Sequence, residues 1–401
     1  MVIENSYRNK IGVDYKKDSR THLKIIMNEL LINLIVFIFS FWPLKHKKIL
    51  FLSYYGSQYG CNPKYISEYI RENSNGYDIV WAFNAPEKYT IPGIRKVKYY
   101  SLAFFYELCT AGFIITNYRM PLFFRKRKKQ IYIQTWHSSL RLKTIEKDAE
   151  SKLTPEYVKM AQKDSKAIDC LLSGCRFSTD IFRSAFWYDG FILECGTPRN
   201  DLFFNQVSNI KQKIARAYSI AEQTRIVLYA PTFRQDYGLD YYNIDYTKLV
   251  QALYNRFGGE WAVLVRLHPH LQQFSQQLLA GSNVKDATSF DDIQELLAAS
   301  DILISDYSSL MFDFALTGKP CFLYVPDLDE YTKKDRKLYF DIKTLPFVKA
   351  YCNKDLIESI NQFDDASYRH ALVAFNKQIG SFESGSSCQQ VLDYINDKCQ
   401  S

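Results

Sequence analysis

The feature that most constrains this chain is an alternation of short apolar runs with charged, helix-type stretches, which occurs in two series. The first series includes the runs at 47–56 (KKILFLSYYG), 77–83 (YDIVWAF) and 111–117 (AGFIITN). The second begins near residue 206 and includes 225–231 (RIVLYAP) and 301–308 (DILISDYS). Strands that alternate with helices form parallel sheets with helices on both faces. The sequence therefore predicts an α/β fold with two doubly wound, Rossmann-like domains that face each other across a central cleft.

The length of 401 residues is sufficient for two domains of ordinary size. We predict an N-terminal segment at 1–46, a first Rossmann-like domain at 47–205, and a second at 206–401 that ends in C-terminal helices. In doubly wound sheets, ligands bind at the carboxyl ends of the strands. Polar residues at those ends are therefore the candidates for a functional site.

The N-terminal segment contains thirteen residues at 30–42 (LLINLIVFIFSFW) that only Asn33 and Ser40 interrupt, followed by the basic block 45–48 (KHKK). This run is shorter than the roughly 20 apolar residues needed to span a bilayer. An interfacial, membrane-associating helix on an anionic membrane surface fits it better. A helix buried against the protein and a tilted span remain alternatives. We expect no nucleic-acid partner, because the chain carries no recognised binding motif.

The stretch 300–320 (SDILISDYSSLMFDFALTGKP) places Asp306 at the end of an apolar run, and Ser308 and Ser309 then open a helix. A helix start offers free backbone N–H groups and a positive dipole end, which suit a phosphate. The alternative is that Asp306 or Ser308 is an ordinary N-cap. Asp313 lies about one turn further on, where it could accept from a ribose hydroxyl or remain a surface carboxylate.

Other strand ends carry similar polar groups, in the motifs CGTPRND, YAPTFRQD and VLVRLHPHL. Their candidate residues are Thr197 and Arg199, Thr232 and Arg234, and Arg266 with His268. His268 and His270 could hold a metal ion, but no third ligand is spaced nearby, so a phosphate contact is favoured. No acidic cluster suits magnesium either. We therefore expect no bound metal and no cofactor.

His137 follows a strand-type run in QIYIQTWHSS, with Trp136 before it and Ser138 and Ser139 after it, and we expect a basic helix next. A neutral imidazole with a pKa near 6.5 suits the removal of a proton from an attacking hydroxyl. A strand-end histidine can equally be structural. The residues alone indicate a two-domain enzyme that binds a nucleotide or phosphate between His137 and His268.

Taken in order, QTWHSS, GTPRND, LYAPTFR, RLHPH and SDYSSLMFDFALTGKP resemble the motifs of the CDP-glycerol glycerophosphotransferase family, which builds teichoic acids and related polymers. The resemblance covers about 47–323. It implies a GT-B-type fold, with the first domain binding the acceptor and the second the donor, and a peripheral location on the cytoplasmic membrane face. It also implies transfer of a polyol phosphate from CDP-glycerol or CDP-ribitol to a lipid-linked saccharide or polymer, with release of CMP, in teichoic-acid or capsule synthesis.

The resemblance also implies roles for single residues. His137 would be the base for the acceptor hydroxyl, and His268 would contact the donor phosphates. The remaining donor-side residues would be Ser308 and Ser309 at the phosphates, Asp313 at the ribose, and Asp306, Arg266, Thr232 and Arg234 nearby; Trp136, Ser138, Ser139, Thr197 and Arg199 would line the acceptor side or the cleft. Ser138 replaces the family's usual glycine, so this loop loses freedom at positive φ.

Two other functions fit parts of the sequence. A GT-B glycosyltransferase that uses a nucleotide sugar would share the fold and the phosphate site, but would break a bond at an anomeric carbon. A non-catalytic scaffold on the membrane surface would retain the fold, but would have no need of His137 and His268.

Overall fold

The computed structural model describes residues 30–138, 140–205, 207–234, 239–267, 271, 283–334 and 337–400. Within these ranges the chain forms two parallel β-sheets with helices packed against them. The predicted α/β class is therefore confirmed.

The first sheet contains seven strands in the order β3-β2-β1-β4-β5-β6-β7. They are β1 Lys45–Leu52, β2 Asp78–Phe83, β3 Arg95–Lys98, β4 Ala111–Thr116, β5 Ile131–Gln134, β6 Cys170–Leu172 and β7 Ile192–Leu193. The chain moves outward from β1 to β3, returns to the other side of β1 at β4, and then moves outward again. This order is that of a doubly wound sheet, in which ligands bind where the direction reverses.

The second sheet repeats the arrangement with six strands in the order β10-β9-β8-β11-β12-β13. They are β8 Arg225–Tyr229, β9 Trp261–Val265, β10 Val284–Asp286, β11 Ile302–Ser305, β12 Cys321–Tyr324 and β13 Val348–Ala350. The direction reverses between β8 and β11, where Tyr229 is in register with Ile304. In both sheets the central strands are buried on both faces, which explains why their sequences are continuous apolar runs.

Helices connect most of these strands. They are α1 at 30–39, α2 Cys61–Asn73, α3 Leu102–Thr110, α4 Pro155–Ala167, α5 Arg176–Ala185, α6 Leu202–Asn205, α7 Val207–Ala217, α8 Tyr246–Phe257, α9 Ile293–Ala299, α10 Leu310–Ala315, α11 Leu328–Lys334, α12 Asn353–Asn361, α13 Asp365–Ile379 and α14 Ser387–Gln400. Several begin at a side-chain cap of the expected kind: the Ser101 hydroxyl accepts from the backbone of Phe104 at the start of α3, and Thr154 caps α4.

The last helix, α14, returns to the first half of the molecule. The Tyr77 hydroxyl, next to β2, donates to Asn396 Oδ1 at 2.7 Å, and the Tyr69 hydroxyl on α2 donates to Gln389. The chain therefore crosses between the two halves twice, once near α6 and once between α13 and α14. The predicted boundaries at 47–205 and 206–401 stay a prediction.

The two halves also meet through a buried charged cluster. Lys64 Nζ on α2 lies 2.7 Å from Asp292 Oδ2 and 2.9 Å from Glu295 Oε1, both at the start of α9. The Tyr65 hydroxyl also donates to Asp292, at 2.8 Å. These contacts fix the first half against the second beside the carboxyl ends of the strands.

The apolar N-terminal run forms α1, which packs against α3 on the outer side of the first sheet. Val36 is buried, and its carbonyl lies 3.7 Å from Cys109 Sγ. The outward side is apolar as well, with exposed fractions between 44% and 72% for Leu31, Leu34, Phe37, Ile38 and Phe41. No helix in the described ranges is long and apolar enough to cross a membrane. Residues 1–29 of the predicted N-terminal segment lie outside those ranges.

The structure differs from the sequence prediction at several elements. The short strands β3, β10 and β13 lack a long apolar run and were not predicted. The basic helix expected after His137 is also wrong. Residues 140–145 form no helix, and Lys143 pairs with Leu338 of the second half in an isolated bridge, before a 3₁₀ helix at Glu146–Lys152.

Candidate active site

His137 lies on the loop that follows β5, and the protein holds the backbone of this loop at each carbonyl from 135 to 138. Asn62 Nδ2, on α2, donates to the carbonyls of Thr135 and Trp136 at 3.2 and 3.1 Å. Arg199 Nη1 donates to the His137 carbonyl at 2.9 Å, and Arg141 Nη2 donates to the Ser138 carbonyl at 3.3 Å. Residue Ser138 is partly exposed. The loop is thus positioned by side chains from several separate elements.

Trp136 shows why such support is needed. Its φ is +50°, in the left-handed region, which is strained for a bulky residue. Strain of this kind costs of order 1–3 kcal/mol and persists only where surrounding contacts determine the conformation. The Trp136 side chain is buried against Phe186, and its amide donates to Gln134 Oε1 at 3.0 Å. These contacts therefore fix the backbone immediately before His137.

The imidazole of His137 is oriented by a backbone carbonyl. Its Nδ1 lies 3.2 Å from the carbonyl oxygen of Asn117, which can only accept, so Nδ1 carries the proton and Nε2 is the basic nitrogen. Burial lowers the pKa of His137 to about 4, the positive charges of Arg199 and Arg141 lower it too, and the hydrogen bond to Asn117 opposes them. The ring is therefore neutral at pH 7 and able to accept a proton.

Arg199 joins this loop to the second half of the molecule. It lies in the 3₁₀ helix Pro198–Asp201, is almost fully buried, and its Nη2 is 2.5 Å from Asp313 Oδ2 on α10. Asn200 Nδ2 and Gln294 Nε2 also donate to the Asp313 carboxylate, at 3.3 and 3.2 Å. The ribose contact expected for Asp313 is not supported by this geometry, because protein donors take both oxygens. Asp313 here positions Arg199.

Thr197, the other residue predicted from CGTPRND, is held by the C-terminal part of the chain. Gly196 before it has a φ of +92°, and the Thr197 amide donates to Glu383 Oε2 at 3.0 Å. Thr197 is buried, so its role in this structure is to fix the turn that carries Arg199.

On the donor side, Asp306 and Arg234 pair with each other. Asp306 accepts from the Thr232 amide at 2.9 Å and from its hydroxyl at 2.6 Å, and Arg234 Nη1 lies 2.9 Å from Asp306 Oδ2. Arg234 also holds Asp327 through Nε and Nη2, at 2.5 and 3.0 Å. Both partners are buried, so in this structure they fix the carboxyl ends of β8 and β11. Their predicted donor-side roles stay predictions.

Ser308 and Ser309 remain available at the start of α10. Both are partly exposed, and Ser309, at the N-cap position, makes no side-chain capping bond. Leu310 N points to Ser308 Oγ at 3.4 Å. Hydroxyls and backbone N–H groups at a helix start suit a phosphate. The pair lies at a helix start as predicted, and its phosphate contact stays a prediction.

Arg266 follows β9 and has one buried nitrogen that lacks a partner. Within the ranges that the structure covers, its Nη1 is buried and has no hydrogen-bond partner. Burial lowers the pKa of Arg266, while Asp292 and Tyr54 nearby oppose the shift. A buried N–H group without a partner is costly, and a bound anion would offset that cost. His268, two residues further on, and Ser139 lie outside the described residues, so their predicted roles stay predictions.

The family model described as CDP-Glycerol:Poly(glycerophosphate) glycerophosphotransferase matches residues 34–397 of the chain. The chain belongs to this glycerophosphotransferase family.

Curated relatives in the family carry teichoic acid names. The teichoic acid poly(glycerol phosphate) polymerase of Bacillus subtilis is 33% identical over 88% of this chain and 49% of that protein. The polymerase of the same name from Bacillus spizizenii is 32% identical over 88% of this chain and 93% of that protein. The teichoic acid glycerol-phosphate transferase of Staphylococcus aureus is 30% identical over 86% and 92%. The chain thus spans about half the length of the Bacillus subtilis relative.

Solved structures agree with the family. The structure of the wall teichoic acid polymerase TagF matches with a TM-score of 0.80 at 30% identity, covering 95% of this chain and 97% of that one. A histidine variant of TagF soaked with CDPG matches with a TM-score of 0.81. A UDP-GlcNAc 2-epimerase from Neisseria meningitidis, at 14% identity and a TM-score of 0.52, shares the fold alone.

Three residues of this candidate site were missed by the sequence prediction. Asn117 and Tyr54 lie at the ends of β4 and β1, and the Tyr54 amide donates to Asn117 Oδ1 at 2.9 Å. Asn62 lies at the start of α2. Asn117 had the same strand-end signal as the residues that were chosen, but Asn62 had none. Across the described ranges, no group of three His, Cys, Asp or Glu side chains is placed to hold a metal ion.

Proposed function

We propose that this chain transfers glycerol phosphate from CDP-glycerol to a hydroxyl of a lipid-linked acceptor and releases CMP, in the synthesis of a teichoic-acid-like polymer. The observation that carries the proposal is the geometry of His137. Its ring is neutral, oriented through Nδ1, and its carbonyl is tied by Arg199 to α10, the helix that starts at Ser308 and Ser309. The names of the relatives favour glycerol phosphate as the transferred group.

In the proposed reaction, the acceptor hydroxyl oxygen attacks the phosphorus that bears glycerol. A new P–O bond forms while the bond from that phosphorus to the bridging oxygen breaks, and CMP leaves with the electron pair. His137 Nε2 takes the hydroxyl proton. Ser308, Ser309 and Arg266 would hold the donor phosphates, and His268 is assigned to them by the family resemblance. Phosphoryl transfer depends mostly on positioning and on stabilising charge on the phosphoryl oxygens.

A pKa of about 4 makes the free imidazole a weak base, and the bound donor would correct this. A pyrophosphate in the site brings negative charge close to His137 and Arg199, which raises the pKa of the imidazole toward its ordinary value. His137 would therefore become an effective base mainly when the donor is present. This order of events would protect the enzyme from activating a hydroxyl in an empty site.

We also propose the finer architecture and the location. The two sheets would be the halves of a GT-B-type enzyme, with the acceptor on the first and the donor on the second. The exposed apolar side of α1 and the exposed basic residues Lys45, Lys47, Arg125, Lys128 and Lys129 support a peripheral position on the cytoplasmic face of the membrane. The acceptor lipid would then be presented to the first half.

The test is CMP release from CDP-glycerol, CDP-ribitol and a set of nucleotide sugars, with membrane extract as the acceptor. We expect CMP from CDP-glycerol and a loss of about 10²–10⁴-fold in His137→Ala, the range for a general base. His370→Ala is the matched control, because His370 is exposed on α13. Turnover of CDP-ribitol alone would show that the transferred group is ribitol phosphate and not glycerol phosphate. Turnover of a nucleotide sugar alone would support the glycosyltransferase alternative. Full activity in His137→Ala would rule out its role as the base.

A further inference from the structure

A cavity of 240 Å³ lies on the first half of the molecule, between the loop that follows β4 and the end of α4. Its apolar lining is Met120, Pro121, Phe124 and Ala167, and its charged lining is Arg125, Lys126, Lys163, Lys166 and Asp164. None of these residues belongs to the candidate active site. Asp164 makes its contacts inside the core of the first half.

The positive charge around this cavity is not balanced by the protein. Asp164 accepts from Arg119 Nη1 at 3.2 Å, from the Met120 amide at 3.0 Å and from a tyrosine hydroxyl, so its carboxylate is already used. Lys126 pairs with Asp169 at 2.6 Å. Arg125, Lys163 and Lys166 remain, and no ion pair in the part of the chain described here involves them. Lys163 Nζ donates to the carbonyl of Leu122, a neutral acceptor that leaves the charge of the lysine unbalanced.

Two further observations support a surplus of positive charge at the cavity. Arg125, Lys163 and Lys166 are all exposed, so they surround the opening and not the floor. Burial lowers the pKa of Lys163, and the charge of Arg125 lowers it too. An anion at this opening would relieve the repulsion between the cations.

The surroundings of the cavity are apolar. Leu122 in the same loop is 39% exposed, and Arg127 Nη1 donates to the carbonyl of Trp42 at 2.6 Å. This contact joins the loop to the end of α1, whose outward side is exposed and apolar. A free phosphate gains nothing from apolar walls, whereas a phosphate that carries glycerol and acyl chains gains from both kinds of surface.

We propose that this cavity binds the phosphate group of an anionic phospholipid, with Lys163 and Lys166 on the phosphate and Phe124 and Met120 against the glycerol. The volume is below the roughly 300 Å³ at which sites for whole small molecules begin, and so fits a headgroup. The inference rests on the proposed peripheral position of the protein. It adds a preference for one lipid class, which apolar contacts of α1 alone would not give.

The test is sedimentation of the full chain with vesicles of phosphatidylcholine, with and without a minor fraction of phosphatidylglycerol. We expect tighter binding to the anionic vesicles, and a decrease of about 10- to 30-fold in that binding for Lys163→Gln/Lys166→Gln, because basic residues near an anionic surface each contribute measurably. The matched control is Lys354→Gln/Lys377→Gln, which removes the same charge from the second half and should leave binding unchanged.

A second variant distinguishes binding of the headgroup inside the cavity from a general attraction between surface lysines and an anionic membrane. Ala167→Leu places a larger apolar side chain on the cavity wall without changing charge, and it should remove the preference for phosphatidylglycerol. If this variant binds like the parent while the double lysine variant does not, the attraction is diffuse and the proposed site is wrong. Thermal unfolding of each variant checks that the fold is intact.

Two more experiments test whether the phosphate comes from a lipid or from solution, and whether a negative result contradicts the peripheral position or only the lipid preference. Calorimetric titration with inorganic phosphate and with glycerol 3-phosphate should show much weaker binding than the vesicles; strong binding that the lysine variant loses would favour a free phosphate and overturn the lipid proposal. Leu34→Ser/Phe37→Ser should reduce binding to both vesicle types. If the parent binds neither type, the peripheral position fails; if it binds both equally, only the lipid preference fails.

Discussion

The His137 loop and the predicted donor side are built from the same kind of strand-end polar residues, but only the His137 loop is held through successive backbone carbonyls. Around His137, side chains of Asn62, Arg199 and Arg141 hold successive backbone carbonyls. On the predicted donor side, Ser309 makes no capping bond. Within the described ranges, buried side-chain nitrogens without a partner occur on both sides, at Arg266 Nη1 and at Arg199 Nε, Arg141 Nε and Arg141 Nη1. In the proposed reaction, the base would therefore be positioned in advance, whereas the donor phosphates would supply partners that the donor side lacks. Each of the following changes tests one side of this comparison.

The largest effect is expected from Arg199→Met, which leaves Asp313 buried without its cation and frees the His137 carbonyl. Breaking a buried pair from one side costs about 3–5 kcal/mol, and that loss should appear in the free energy of unfolding by urea. Activity should fall as well. The double variant Arg199→Met/Asp313→Leu should regain most of the stability and none of the activity. If both recover together, Arg199 serves the fold alone and does not position His137.

Arg266→Gln should have the opposite effect on stability. The free energy of unfolding should stay the same or increase, because the change removes a buried charge that lacks a full set of partners. The dissociation constant of CDP-glycerol, measured by calorimetry, should rise about 10- to 100-fold, as hydrogen bonds to charged groups contribute roughly 1.5–3 kcal/mol. Arg183→Gln on the exposed side of α5 is the control. A less stable Arg266→Gln would show that Arg266 supports the fold, as Arg199 does, and does not wait for a ligand.

Asn62→Asp tests the loop with a change of almost no volume. The carboxylate keeps an oxygen for the Arg199 amide but loses the N–H donors to the carbonyls of Thr135 and Trp136. We expect kcat to fall about tenfold, at roughly 0.5–1.5 kcal/mol for each hydrogen bond lost, with the KM for CDP-glycerol unchanged. Steady-state kinetics measure both. An increase in KM without a change in kcat would mean that the loop contacts the donor.

The smallest effect is expected on the pH profile. Arg141 lowers the pKa of His137, so Arg141→Met should raise that pKa above its value of about 4. A base acts when it is unprotonated, so its rate is lost as pH falls through its pKa. The acidic limb of kcat/KM should therefore move to higher pH in the variant, while the plateau above it changes little. A shift to lower pH would show that Arg141 influences His137 by contact and not by charge.

The sequence was sufficient for what depends on local pattern. Buried strands such as β8 and β11 read as apolar runs, and their ends located Ser308 and Ser309 correctly at a helix start. It was insufficient for partners far apart in the chain. Asp313 looks like a surface carboxylate or a ribose ligand until the fold brings Arg199, 114 residues away, to its carboxylate. Asn62 could not be singled out either, because its function depends on carbonyls that any residue could supply.

Edge strands were missed for a different reason. β3 is Arg95–Lys98, with charged residues at three of four positions, and most of it is exposed. Such a strand is stabilised by the neighbouring strand β2 and by the pair of Arg95 with Asp78 at 2.6 Å, and not by burial of its own side chains. The sequence of β3 has no alternation of apolar and polar residues, so this strand can be recognised only in the assembled sheet.

The return of α14 to the first half has a mechanical consequence. Two bodies connected by a single covalent link can swivel in any direction about it, but two links define a line, and rotation about that line is the motion that strains neither. Here the links are the passages near α6 and between α13 and α14. A relative rotation of the two sheets that strains neither passage would follow one fixed arc, and it would have to break the contacts of Lys64 with Asp292 and Glu295.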